Sequence, residues 1–167
     1  MTVSLLDRPA IVLIYPGQPE LRDEGDRFGP TAAPAASWPS DPAQLAARVL
    51  VVDDALRMRT ELRILLEDAG FAVVGEARHG AEGVALAREL RPDVVVMDLR
   101  MPILDGIAAT ARIRHDLPDT RVVVFSAFDD QELEQSARAA GASRFLIKGA
   151  SPAAITEAVR DAAGSSH

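Results

Sequence analysis

The sequence predicts an α/β fold in which a doubly wound parallel sheet occupies most of the chain. From residue 48 onward, strand and helix patterns alternate five times. The predicted strands are short, Val-rich apolar runs, which is typical of strands buried on both faces of a parallel sheet. Short connections between strands and helices favour right-handed crossovers, with helices on both faces. The predicted architecture is therefore a (βα)5 domain.

The individual elements follow from apolar periodicity and from their end signals. Gly70 supplies a C-terminal cap for the first helix, after an apolar face that recurs at helical spacing. Asp129 and Asp130 place acids at the positive end of the fourth helix. Ser151 and Pro152 supply the N-cap and first helical position of the fifth. The predicted strands lie near 48–52, 72–76, 93–97, 121–125 and 143–147, and the helices near 55–69, 80–90, 105–116, 130–140 and 152–162.

Length and composition limit the class of protein. The 167 residues suit one domain with an extension, and 48% apolar residues can fill a sizeable core. A net charge of −7 argues against a nucleic-acid groove, which needs clustered Lys and Arg. The chain has no cysteine, and no apolar run approaches the ~20 residues of a membrane span. We expect a cytoplasmic protein that binds neither nucleic acid directly nor membrane.

The composition changes near residue 46. Residues 1–46 hold seven of the eleven prolines and the only Trp and Tyr. We predict a Pro/Ala-rich, mostly disordered extension or linker over 1–46, the folded domain over 47–163 and a short tail over 164–167. One apolar run, Ala10–Tyr15, interrupts this region. An inert tail and a docked segment both remain open interpretations of the extension.

Polar side chains stand at the ends of four predicted strands. VLVV precedes Asp53 and Asp54, VVVM precedes Asp98, VVVF precedes Ser126, and FLI precedes Lys148. In an open parallel sheet, ligands bind at the carboxyl ends of the strands, so we expect these groups to lie on one rim. Lys148 is the only lysine among eighteen basic residues. A compact ammonium therefore stands at this position in a chain that otherwise uses arginine.

The residue types at this rim indicate phosphoryl transfer assisted by a metal ion. Three converging carboxylates repel one another, and a hard divalent cation such as Mg²⁺ removes that conflict. The histidines are dispersed and thiols are absent, which disfavours zinc. A hydroxyl and an ammonium beside the cation would meet the charge on phosphoryl oxygens. Asp98 follows the central strand and is the best candidate for a carboxylate nucleophile.

These motifs resemble the receiver domain of bacterial two-component response regulators. VLVVDD, VVVMDLRMPILDG, VVVFSA and FLIKG occur in the family's order, and the resemblance runs from Arg48 to Ala163. It implies a flavodoxin-like sheet with strand order 2-1-3-4-5. FLIKGASPAAITEAVR further resembles LuxR/NarL-type receivers, in which a helix-turn-helix output domain follows. Here GSSH follows, and a stand-alone receiver and a removed output domain both remain open.

The resemblance assigns roles to the acids at the rim. It implies that Asp98 accepts a phosphoryl group from the phosphohistidine of a histidine kinase or phosphotransfer protein. Asp54 and Asp98 would ligate Mg²⁺ together with the backbone carbonyl of Arg100. Asp53 would act mainly through water.

The resemblance also implies a switch. Ser126 and Lys148 would contact phosphoryl oxygens, and Phe145 would change rotamer as the hydroxyl moves. The face formed by the fourth helix, fifth strand and fifth helix would then change, and a homodimer through it is possible. The chain departs from many receivers at Gly149, where proline is common. Phe128 lies two positions beyond Ser126 and, with Arg100 two beyond Asp98, predicts a long-lived phosphorylated state through hindrance of water.

The favoured function is a phosphorylated signalling domain that catalyses only its own phosphoryl transfer and slow autodephosphorylation. A degenerate receiver that dimerises or binds a partner constitutively is one alternative. An aspartyl-phosphate phosphatase is a second alternative. It is disfavoured because such enzymes carry a second Asp two residues after the nucleophile, where this chain has Arg100.

The docking interpretation of Ala10–Tyr15 can be tested by deletion. A docked edge strand, or a cover over a partner surface, would contribute contacts to the domain. Deleting residues 1–44 would then lower the urea midpoint or change the phosphorylation rate. Unchanged stability and phosphorylation would dispose of docking and leave the inert tail.

Overall fold

The structure, a computed structural model, describes residues 46–164. Five parallel strands form one sheet in the order β2-β1-β3-β4-β5, with five helices between and after them. The predicted flavodoxin-like order is confirmed. The elements are β1 (Arg48–Val52), α1 (Leu56–Asp68), β2 (Ala72–Ala77), α2 (Gly80–Leu90), β3 (Val94–Met97), α3 (Gly106–Asp116), β4 (Arg121–Ser126), α4 (Gln131–Ala139), β5 (Arg144–Ile147) and α5 (Pro152–Gly164).

The core consists of two apolar layers, one on each face of the sheet. Alternate residues of a strand point to opposite faces, so the Val-rich central strands fill both layers. All four residues of β3 are buried. On one face the core residues of the strands pack with α2, α3 and α4. On the other they pack with α1 and α5. A central sheet that is dry on both faces holds the strand ends in fixed register.

The helix ends use the signals that the sequence contains. Gly70 adopts φ +87°, and its N–H donates to Glu67 O while the next N–H donates to Leu66 O. These two bonds are the Schellman arrangement that a left-handed residue closes. Asp130 accepts from backbone N–H groups in the first turn of α4, and Ser151 Oγ accepts from Ala154 N. The caps predicted at Gly70 and Ser151 are confirmed, and Asp130, predicted as an acid at the positive end of the dipole, also caps α4.

The loop between β3 and α3 lies tightly against the end of β3. Gly106 is buried, and its N–H donates to Leu99 O at 2.9 Å. A Cβ added to Gly106 would lie 2.0 Å from the carbonyl oxygen of Asp98. The lack of a side chain at this position therefore permits the close approach of the α3 N-terminus to the strand end.

Several predictions fall outside the described residues. These include the structure of the extension over 1–45, the segment Ala10–Tyr15 and the tail at 165–167. The division of the chain into extension, domain and tail stays a prediction. Within residues 46–164, no helix has both the length and the apolar character needed to cross a membrane.

Gly106→Ala is expected to lower the free energy of unfolding by about 2–3 kcal/mol, because the added methyl group forces backbone apart at a packed site. Gly164→Ala is the matched control, since its Cβ meets no atom within 4 Å at the end of α5. Urea unfolding of both variants measures the difference. Equal midpoints for the two variants would contradict the close approach at Gly106.

Candidate functional site

Three carboxylates converge at the carboxyl edge of the sheet. Val52 of β1 pairs with Met97 of β3, so the residues that follow these strands lie side by side. One carboxylate oxygen from each of Asp53, Asp54 and Asp98 lies within 4.8 Å of the other two. Asp53 and Asp98 are buried, whereas Asp54 is exposed. The structure therefore brings the predicted acid pair and the predicted acceptor together.

Lys148 follows the edge strand β5 and extends to this cluster along the same carboxyl edge of the sheet. Its Nζ lies 2.6 Å from Asp53 Oδ2 and 3.2 Å from Asp98 Oδ1. The side chain starts after the edge strand β5 and passes the end of β4 to reach the ends of β3 and β1. The compact ammonium contacts two buried carboxylates with a single nitrogen, which suits lysine better than the planar fork of arginine.

Burial and the neighbouring charges together determine the pKa values of Asp98 and Lys148. Burial raises the pKa of the Asp98 carboxyl above its ordinary value, the Lys148 ammonium opposes the shift, and the Asp53 charge adds to it. Burial alone would lower the pKa of Lys148, but the two carboxylates together outweigh it and raise that pKa. One ammonium thus compensates incompletely for buried negative charge, and the cluster favours a further cation.

The oxygens of the three acids are engaged to different degrees. Asp53 Oδ1 accepts a hydrogen bond from Ala55 N at 2.9 Å. Asp53 Oδ2 is buried and forms an ion pair with Lys148, but it accepts no well-oriented hydrogen bond. Among residues 46–164, the Asp54 carboxylate has no hydrogen bond or ion pair. This all-oxygen donor set, in which the Asp54 carboxylate is open, fits a hard divalent cation such as Mg²⁺.

Ser126 is the last residue of β4 and is buried beside the cluster. Its Oγ accepts from Phe128 N at 3.1 Å, and its carbonyl oxygen accepts from Lys148 N. The Ser126 hydroxyl therefore contacts the loop after β4, and the Ser126 carbonyl group contacts the backbone of Lys148 after β5.

Phe145, the candidate switch aromatic, pairs with Val124 in the sheet and is half-buried. It lines a groove of about 580 Å³ between α4 and β5, together with Asp129, Glu134 and residues 146–150. The structure thus places a partly accessible aromatic ring on β5, two residues from Ile147, which pairs with Ser126 at the end of β4.

Gly149 forms a turn directly after Lys148. Its φ is +121°, and Ala150 N donates to Ile147 O at 2.9 Å. Glycine adopts a positive φ without steric cost, so this sequence forms a hydrogen-bonded turn directly after the lysine.

Two exposed side chains stack over the rim. The guanidinium carbon of Arg100 lies 4.1 Å from the centroid of the Phe128 ring, within cation–π range. Arg100 belongs to the loop after β3 and Phe128 to the loop after β4. The stack therefore connects the loops that follow Asp98 and Ser126.

Arg59 is a site residue that the sequence patterns did not reveal. Its Nη1 donates to the carbonyl oxygens of Asp53 at 2.6 Å and Asp54 at 3.2 Å. One signal was available, because a cation in the first turn of a helix opposes the helix dipole. Such a residue is expected to have a compensating partner, and here the partners are the backbone carbonyls of the acid pair.

A five-stranded parallel sheet that carries an acid cluster, a hydroxyl and a lysine at its carboxyl edge defines a receiver-type α/β domain. The sequence model of the response regulator receiver domain matches residues 49–160. The chain therefore belongs to the response regulator receiver domain family, whose members are signalling modules of two-component systems rather than conventional enzymes.

Three comparisons give the extent of the similarity. The chemotaxis protein CheY of Thermotoga maritima is 40% identical over 115 residues, covering 69% of this chain and 96% of that protein. The signal receiver domain of the response regulator NarL from Mycobacterium tuberculosis is 38% identical with a TM-score of 0.68, covering 72% and 98%. A chain of the CheX–CheY–BeF3–Mg²⁺ complex from Borrelia burgdorferi is 27% identical with a TM-score of 0.66, covering 69% and 87%. The similarity to NarL confirms the predicted resemblance to this type of receiver.

Asp98→Asn is expected to raise the urea midpoint at pH 7.5 in EDTA. The pKa of Asp98 is raised in the folded state, so the stability it contributes is present below its unfolded pKa and is lost as pH rises through the folded pKa. The ionised carboxylate therefore opposes folding at neutral pH when no metal is bound. The difference between variant and wild type should shrink toward pH 4. Asp68→Asn, at an exposed carboxylate at the end of α1 and outside the acid cluster, is the control. An Asp98→Asn variant less stable than wild type at pH 7.5 would contradict this electrostatic account.

Proposed function

We propose that this chain is the phosphoacceptor module of a two-component phosphorelay and that Asp98 is its phosphorylated residue. The observation that carries the proposal is the Lys148 ammonium held between two buried carboxylates, with all three acids within 4.8 Å. Asp98 is the acid that follows the central strand and contacts this lysine. The donor would be the phosphohistidine of a histidine kinase or phosphotransfer protein in the cytoplasm.

The metal proposed for the site is Mg²⁺, held by Asp54, Asp98 and the backbone carbonyl of Arg100. Asp53, whose oxygens are already engaged by Ala55 N and Lys148, would contact the ion through water. When bound, Mg²⁺ supplies positive charge to the phosphoryl oxygens and to the crowded carboxylates. The similar chain solved in a complex with BeF3 and Mg²⁺ supports this assignment.

The chemical step transfers the phosphoryl group from a histidine nitrogen to an aspartate oxygen. An Asp98 carboxylate oxygen forms a bond to phosphorus while the phosphorus–nitrogen bond of the phosphohistidine breaks. The imidazole nitrogen retains the electron pair of that bond and takes up a proton. Lys148 and Ser126 provide charge and a hydrogen bond to the equatorial oxygens, where negative charge is concentrated in the transition state.

Phosphorylation would be read out on the face formed by α4, β5 and α5. Movement of the Ser126 hydroxyl toward the phosphoryl group would break its bond with Phe128 N and open space for Phe145 to change rotamer. Such a change biases a two-state equilibrium rather than creating a new fold. The groove between α4 and β5 lies on this face, which we propose for a downstream partner or a second copy of the chain.

Incubation of the full chain with acetyl phosphate should add a single phosphoryl group by intact mass. The adduct should require Mg²⁺ and should be absent in EDTA and in Asp98→Asn. Asp93→Asn, at an acid before β3 and at the opposite end of the sheet, should be modified normally. No adduct on folded protein under any condition would overturn the phosphoacceptor proposal and favour constitutive partner binding.

Arg100→Ala and Phe128→Ala should each accelerate loss of the phosphoryl group, because the stacked side chains hinder an in-line water. We expect about a two- to fivefold increase, corresponding to the ~0.5–1 kcal/mol of an exposed cation–π contact. The decay of the phosphorylated mass after removal of acetyl phosphate measures the rate. Arg112→Ala, at an exposed arginine of α3, controls for general loss of surface charge. Wild-type decay in both variants would remove the protective role of the stack.

A further inference from the structure

Arg59 connects the backbone of the acid pair to the neighbouring strand. It lies in α1, its side chain is 11% exposed, and its Nη1 donates to the carbonyl oxygens of Asp53 and Asp54. Its Nε lies 3.5 Å from Glu76 Oε2 on β2. The guanidinium therefore contacts both backbone carbonyls of the acid pair and a carboxylate of an adjacent element.

Helix formation does not account for this placement. A cation in the first turn of a helix meets the positive end of the dipole, and a nearly buried guanidinium loses hydration and side-chain entropy. The Asp53 and Asp54 carbonyl groups offset these costs through charge-assisted hydrogen bonds, which are stronger than neutral ones. The compensation comes from the residues that present the acid cluster.

The remaining contacts of Asp53 complete a clamp around this backbone. Asp53 N donates to Ala77 O at 3.0 Å, and Asp53 Oδ1 accepts from Ala55 N. Arg59 holds the carbonyl side of the same residue. With both sides fixed, the Asp53 carboxylate and the backbone that carries the Asp54 side chain are positioned before any cation arrives, which lowers the cost of ordering ligands on binding.

We propose that Arg59 is a positioning residue for the divalent cation site. It holds the Asp53–Asp54 backbone so that the carboxylates converge with Asp98. This inference rests on the metal site proposed above and assigns to it a supporting residue on α1.

Glu76 has a distinct part in this arrangement, because an uncompensated guanidinium behind the acid pair would repel a divalent cation. Glu76 faces Arg59 and also pairs with Arg63 Nε at 2.9 Å, while Arg63 reaches Glu67 at 3.5 Å. The carboxylate thus reduces the positive charge that the metal site experiences. Arg63 shares Glu76 but makes no hydrogen bond to the acid-pair carbonyls among the described residues, and it provides a matched comparison.

The test is a Mg²⁺ titration of the full-length protein, followed by the backbone amide shifts of residues 53–55 and 98–100. Arg59→Ala and Arg59→Lys should each weaken Mg²⁺ affinity on the order of tenfold, the usual effect of removing a group that orients metal ligands. Lysine keeps the charge but lacks the planar fork that contacts the carbonyls and Glu76 together. Glu76→Gln should weaken binding by a smaller factor, and Arg63→Gln should change it by less than about twofold, as for an exposed ion pair.

The outcomes separate this inference from the proposal on which it depends. If wild-type protein binds no Mg²⁺, the metal site itself is refuted. If wild type binds and the folded Arg59→Lys variant binds equally well, the positioning role is overturned while the metal site stands. An Arg63→Gln effect as large as that of Arg59→Lys would also overturn it, because the ion-pair network in general would then be responsible. Should Arg59→Ala fail to fold, Arg59→Lys alone decides.

Discussion

Repulsion among three carboxylates at the end of a dry sheet is the constraint on which the site depends. Asp53 and Asp98 are buried, and the Lys148 ammonium, 2.6 and 3.2 Å away, is the cation between them. Burial raises the pKa of Asp98, and the single Lys148 charge does not fully oppose this shift. The cluster therefore favours a second cation. This unbalanced negative charge supports the Mg²⁺ site and the phosphoacceptor role that we propose for Asp98.

The rest of the fold keeps these charges from moving apart. The register between β1 and β3 places Asp53 beside Asp98, and apolar packing on both faces of β3 anchors this strand in the core. Gly106 brings the start of α3 against the Asp98 carbonyl. Arg59 fixes the backbone of the acid pair from the other side. The scaffold therefore keeps the carboxylates from moving apart, and the remaining repulsion between them favours binding of a cation.

Much of this arrangement could be predicted from the sequence because it depends on chain-local patterns. Val-rich runs gave the strands, and their final polar residues gave the rim, since parallel strands end at the same edge. Gly70 and Ser151 predicted helix ends through local hydrogen bonding, and Asp130 predicted one through its charge at the positive end of the dipole. The contacts of Arg59 and the engagement of Asp53 Oδ1 with Ala55 N could not be predicted in this way. Those depend on side-chain rotamers and on how α1 packs against β2, which no periodic pattern encodes.

The Arg100–Phe128 stack could be predicted only in part from the sequence. The positions of the two residues relative to Asp98 and Ser126 suggested that both flank the phosphoryl group, but a distance of 4.1 Å requires the relative placement of two loops from different strands. Each loop is anchored by a strand end in the buried sheet. The geometry of the rim therefore depends on the packed core beneath it.

A crystal structure of the protein with Mg²⁺ and beryllofluoride, a stable mimic of a phosphoryl group, tests the central claim most directly. The account predicts beryllium bonded to an Asp98 carboxylate oxygen, Mg²⁺ contacting Asp54, Asp98 and the Arg100 carbonyl, and fluorine atoms contacting Lys148 Nζ and Ser126 Oγ. Beryllofluoride bound elsewhere, or absent while Lys148 remains paired with both Asp53 and Asp98, would contradict it.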